Sequence, residues 1–365
     1  MRNSTRSLIT ILFSFALLFC AGSVMAFGTD QPVDVSAGAG QEKSVTVDED
    51  VTTEKADAVK VTAEGEGSDA SATVNGDVES DEGHGVVVEA DKGKASAVIN
   101  GDVEADEDGI EAKAKNGGTA TVKVDGDVES YEDDGVEAKA DGGSSVSVVI
   151  DGDLTAEETG LDLSVTGGSR IDVVVTGTVE GGEAGIITNA CTPGAKGKVN
   201  VTAWKIVVNK DKKGKEFVAL DKSGAINRAF EKTIKYIIRI KDTDYISLPD
   251  LEKGEYGYTA YEGDEIRVRI DIPDGYELEH AYWDDDEELE LIKGDDGFWY
   301  VRIPKGGGVI LSVDLDVDDD DDSGEGYRAS SPNTGDREEL AVWSVIMMAA
   351  MAMLIAMIRN KALNR

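Results

Sequence analysis

The chain has 365 residues, 74 acidic against 36 basic side chains, and a formal net charge of -38. So acidic a surface repels nucleic acid and anionic membrane faces, which excludes dedicated polyanion binding. Only two histidines, His84 and His280, and two thiols, Cys20 and Cys191, are present, which argues against zinc chemistry or histidine-based catalysis.

Residues 1–26 begin with Arg2 and Arg6, continue as an apolar run from Leu8 to Cys20, and end on the small-residue exit Val24-Met25-Ala26. This pattern predicts a secretory signal peptide cleaved after Ala26. Phe19 stands where a lipobox would carry a small residue, so Cys20 is expected to leave with the signal. The exported chain then keeps one thiol, Cys191, which excludes an internal disulfide. Residues 27–44 are expected to be a lead-in or cap.

A repeat follows. Gly-Asp-hydrophobic recurs at Gly76-Asp77-Val78, Gly101-Asp102-Val103, Gly126-Asp127-Val128 and Gly152-Asp153-Leu154, with a degenerate Gly177-Thr178-Val179 and an earlier relic at Asp50-Val51. About six units of 25 residues are expected between 45 and 190. Within one unit, Ala120, Val122 and Val124 alternate with Thr119, Thr121 and Lys123, and Val136, Ala138 and Ala140 repeat the alternation. That is the period of a strand with one wet face. A single 25-residue turn with such small apolar side chains cannot bury its face alone, whereas stacked turns share one thin core. The expected fold is therefore an all-β, parallel β-helix-like solenoid, with an antiparallel hairpin array and disorder as the alternatives. Its last turn, near 177–188, should meet a cap, because an open strand edge templates pairing.

Acidic groups recur in phase with these strands, at Asp106-Glu107-Asp108 and at Glu132-Asp133-Asp134. Stacked, they would form a ladder that repels itself unless a cation sits among the oxygens. Asp106, Asp108, Asp133 and Asp134 are thus weak candidates for Ca²⁺, against a solvated loop face; no other cofactor is expected.

Composition shifts after Cys191, which is expected to be a buried small side chain at the junction. A β-rich linking domain is expected at 191–255 and a C-terminal β module at 256–317, where Ile266, Val268, Ile270 and Ile272 share one face. Its turn and strand motifs resemble the small β-sandwich or β-grasp-like modules of bacterial surface proteins. Tyr276, Trp283, Phe298, Trp299 and Tyr300 are expected to be core and turn packing rather than a carbohydrate platform. The acidic run into 318–330 suggests an extended, self-repelling spacer.

Ser331-Pro332-Asn333-Thr334-Gly335 stands just before Leu340 to Ile358, 19 residues of which only Ser344 is not apolar, and Arg359, Lys361 and Arg365 follow. Such a helix rises about 28 Å, enough to span a bilayer once with residues 359–365 held in the cytoplasm. Signal peptide, exported body, Pro-x-Thr-Gly, apolar helix and basic tail together resemble the cell-wall-anchored surface proteins of Gram-positive bacteria. The first motif position departs from the family's LPxTG pattern, with Ser331 in place of Leu, which leaves the sortase class open. The resemblance implies sortase and peptidoglycan as partners, cleavage between Thr334 and Gly335, and transient membrane insertion before sorting. It covers the two ends alone. The expected function is a structural or adhesive surface protein, not an enzyme, meeting a host, matrix or neighbouring-cell ligand. The alternatives are a polysaccharide-processing parallel β-helix and a calcium-dependent binding module.

Overall fold

The computed structural model describes residues 24–26, 31–191, 194, 196–208, 218–284 and 289–317. Most of the expected signal peptide, the spacer, the sorting motif 331–335, the helix at 340–358 and the tail lie outside them. Among the described residues, no helix is long and apolar enough to cross a membrane.

The repeat builds an all-β solenoid of about seven turns. One turn consists of a long strand Thr119–Val124, a short strand Val128–Ser130 and a second long strand Val136–Ala140. Every strand pairs in parallel with its counterparts one turn away. Ala120 lies between Ala95 and Val146, Val128 between Val103 and Leu154, and Ala138 between Ala112 and Leu163. This pairing is parallel throughout, which rules out an array of antiparallel hairpins. Stacking starts before residue 45, at Val33–Ala37, and passes residue 190 through Lys198–Val208 and Ala219–Leu220. Val24–Ala26 adds a short parallel rung against Val45–Val47.

The period-2 alternation produces the core. Ala120, Val122, Val124, Val136 and Ala138 are all 0% exposed, while Lys123 faces water. Side-chain size varies along the stack. One inward column runs Ala70, Ala95, Ala120, Val146, Ile171 and Val199, and another runs Val61, Val88, Ala112, Ala138 and Leu163. Alanine stands in both columns at the turn of Ala112 and Ala120, and both columns carry larger side chains by Leu163 and Ile171.

The stack is closed at its C-terminal end by larger side chains. A short helix, Arg228–Glu231, is capped by Asn227, whose side chain accepts from the Phe230 N–H and donates to Ala190 O. Phe230 of this helix and, just after it, Ile234 and Tyr236 are buried. Lys235–Ile240 then joins solenoid to module: it pairs in parallel with Lys198–Val208 and Ile310–Val317, and antiparallel with Tyr258–Tyr261. A second small sheet is formed by Ile246–Ser247, Glu265–Ile270, Trp299–Arg302 and Ile292–Lys293.

Two expectations are corrected. Cys191 is exposed, not buried, because it stands in the turn that follows the strand Ala184–Thr188, where the backbone takes a left-handed φ of 62°. The five aromatic residues expected to pack divide as well. Trp283 and Trp299 pack on the core, whereas Tyr276 is 47% exposed, Phe298 lies under the Arg267 guanidinium, 4.4 Å away, and the Tyr300 hydroxyl donates to Asp296 Oδ2 (2.6 Å).

Candidate functional site

Two side-chain ladders run along the solenoid. The first explains the Gly-Asp repeat: each aspartate accepts the backbone N–H of its counterpart on the next turn. Asp77 N donates to Asp50 Oδ1 (3.0 Å), Asp102 N to Asp77 Oδ1 (2.9 Å), Asp127 N to Asp102 Oδ1 (2.8 Å) and Asp153 N to Asp127 Oδ1 (2.7 Å). Glycine precedes each aspartate because the carboxylate below occupies that space. A Cβ on Gly126 would lie 2.5 Å from both Asp102 Oδ1 and Gly101 O. The two imperfect copies mark the ends. Asp50 has no carboxylate beneath it among these rungs and is preceded by Glu49; Thr178 donates its N–H to Asp153 Oδ1 and supplies no carboxylate above.

The second ladder lies at a corner, one residue before the glycine that opens each second long strand. Asp108 N donates to His84 Nδ1 (3.2 Å), Asp134 N to Asp108 Oδ1 (3.3 Å) and Thr159 N to Asp134 Oδ1 (3.0 Å). Because His84 Nδ1 accepts, its ring proton sits on Nε2, 3.2 Å from Glu107 Oε2. Asp108 and Asp134 are buried, at 5% and 9% exposure. Burial, followed by the charges of Asp133, Glu137 and Asp134, pushes the Asp108 carboxyl up to about 8 from 3.8. Burial and the nearby Asp162 push Asp134 up to about 7 from 3.8, against the lowering effect of the Thr159 hydrogen bonds. The corner therefore holds protons near neutrality, where ordinary carboxylates have lost them.

Of the four candidate calcium ligands, Asp108, Asp133 and Asp134 come together, each offering an oxygen within 4.8 Å of the others. Asp106 stands outside that group, and His84 and Glu111 form a second one with Asp108. Calcium takes about six to eight oxygens, and Asp108 and Asp134 each already hold a backbone N–H, so these three carboxylates do not by themselves build its cage. The acidic phase of the repeat was readable in the sequence. The part played by His84 was marked only by its place before Gly85, matching Asp108 before Gly109 and Asp134 before Gly135.

Fold and ladders together define an acidic, parallel all-β solenoid whose turns are joined by side chains as well as by sheet hydrogen bonds. Compared with known proteins, the chain matches no family model, no curated protein and no solved structure.

Proposed function

We propose that the chain is a structural or adhesive cell-surface protein of a Gram-positive bacterium, joined covalently to peptidoglycan by a sortase and displaying the solenoid as an acidic rod. The observation that carries this reading is Pro332-x-Thr334-Gly335 in front of an apolar stretch of 19 residues and a basic tail. Pro332 favours an extended segment and Gly335 leaves the scissile bond uncrowded, as a peptide lying in an enzyme groove requires. The apolar stretch serves as a single membrane helix that holds the chain until Thr334 is transferred. The C-terminal strands form a β-sandwich or β-grasp-like module between rod and anchor. A display role also suits a body whose recurring carboxylates are engaged in joining turn to turn.

The experiment is fractionation of cells carrying the wild type or Thr334→Ala. Wild type should remain with the sodium dodecyl sulfate-insoluble wall, and the variant should move to the detergent-soluble membrane fraction. Equal distribution of the two would refute the anchoring reading.

A further inference from the structure

The two ends of the solenoid are finished differently. At the C-terminal end, Ala219 of the last rung donates its N–H to Glu231 Oε1 and accepts the Asn227 N–H, while Lys198–Val208 pairs onward with Lys235–Ile240. At the N-terminal end the first coil consists of Val33–Ala37, Glu42–Val47 and Val51–Thr53. Among the described residues, Val33–Ala37 and Val51–Thr53 have strand partners on one side only, and the outer side of Glu42–Val47 is paired with Val24–Ala26 alone. That rung ends at the expected signal cleavage point, so export removes it. The Val33 N–H is donated forward to Ala58 O. Successive residues of a strand direct their backbone groups to opposite sides, so those of Asp34 and Ser36 point out of the stack.

An open edge of this kind templates pairing with another chain. Because the C-terminal end is covered, the like surface a second copy can offer is its own N-terminal end, turned about a two-fold axis. One side chain stands in the way. The inward column that reads Ala70, Ala95 and Ala120 in the next three coils begins with Lys43. Those alanines are at most 1% exposed, whereas Lys43 is exposed. Every other inward position of the first coil is Val, Ala or Thr. A second copy stacked on this end would take the Lys43 ammonium out of water, and the inward positions facing it would hold no carboxylate, only apolar groups, Thr53 and the other copy's Lys43.

We propose that Lys43 guards the end bared by signal cleavage: it keeps that edge from pairing with the same edge of a second copy, and so keeps the displayed rods single. The inference goes beyond the anchoring reading and rests on cleavage after Ala26, not on sortase.

Light scattering on a sizing column, with the exported body, residues 27–330, in low and in high sodium chloride, tests the proposal. Wild type should keep the monomer mass in both, because the barrier is desolvation of an ammonium group and not the long-range repulsion that salt screens. Lys43→Val continues the apolar column and should double the mass. Lys43→Val/Ser36→Pro should return to the monomer, since proline at 36 removes an outward N–H and leaves the bonds to the second coil in place. Circular dichroism melts show that the variants remain folded; Lys43→Ala, the residue of the next three coils, replaces Lys43→Val if its melt falls. A wild type that dimerises in high salt, a folded apolar variant that stays monomeric, or a dimer that survives Ser36→Pro would each overturn the proposal. N-terminal sequencing of the body released from cells should begin at Phe27, and a body that retains Val24–Ala26 would overturn it too. Thr334→Ala fractionation reads anchoring separately, so loss of one reading is not mistaken for loss of the other.

Discussion

Raising the pH from about 5 to about 7 should weaken the folded body, and the buried corner sets how much. Asp108 and Asp134 are pushed up to about 8 and about 7, from 3.8. Between these values the folded chain holds protons that the unfolded chain has released. A raised carboxyl thus leaves stability highest below about pH 4, and stability falls as the pH climbs through 7 to 8. Each retained proton contributes about 1.4 kcal/mol per pH unit. Two units of Asp108 titration then cost about 3 kcal/mol, and Asp134 adds a smaller amount because the two groups share one electrostatic environment. Asp108→Asn keeps an oxygen to accept the Asp134 N–H and removes the titration. Urea melts at about pH 5, 6, 7 and 8 should show a steep fall for the wild type and a shallower one for Asp108→Asn or Asp134→Asn, with the variants gaining most at the highest pH. The many exposed carboxylates contribute a slope common to all three proteins, so the difference between them is the readout. Parallel pH profiles would refute the reasoning.

Gly126→Ala should destabilise by about 1–3 kcal/mol through overpacking against Asp102 Oδ1 and Gly101 O, and adding Asp102→Ala should not restore it, because the carbonyl remains; a wild-type urea midpoint would contradict the ladder. Val122→Asp places a charge at a position 0% exposed, between Ala97 and Val148, and should cost several kcal/mol, about the penalty of a buried unsatisfied group. Thr121→Asp on the outer face should cost only about a few tenths of a kcal/mol, so comparable circular dichroism melts would overturn the assigned faces. Exposed Cys191 should react with a maleimide at the same rate in native and denatured protein, and slow native labelling would show that the turn covers it.

The solenoid was legible because every turn repeats one chemical task. Period-2 alternation marked Ala120, Val122 and Val124 as inward, and register confirmed it by stacking them on Ala95, Ala97 and Ile99. The Gly-Asp recurrence was visible too, but its cause was not. An aspartate that reaches the N–H of a residue 25 positions on has no local signature; only stacking brings Asp102 and Asp127 together. The burial of Asp108 was hidden for the same reason. In sequence it belongs to an acidic loop beside Asp106 and Glu107, yet the corner turns it inward. Cys191 misled in the opposite sense: a small thiol between Ala190 and an apparent boundary suggested packing, but it stands exposed in the left-handed turn that follows Ala184–Thr188. The join at Lys235–Ile240 was obscured because its partners lie both before and after it, in Lys198–Val208 and Ile310–Val317.

Mass spectrometry of the C-terminal peptide, taken from the body released by muramidase from sodium dodecyl sulfate-washed walls, tests the proposed anchoring most directly. The account predicts a peptide ending at Thr334 whose carboxyl group is amide-bonded to a peptidoglycan fragment. A released chain that retains Gly335 and the residues up to Arg365 would contradict it.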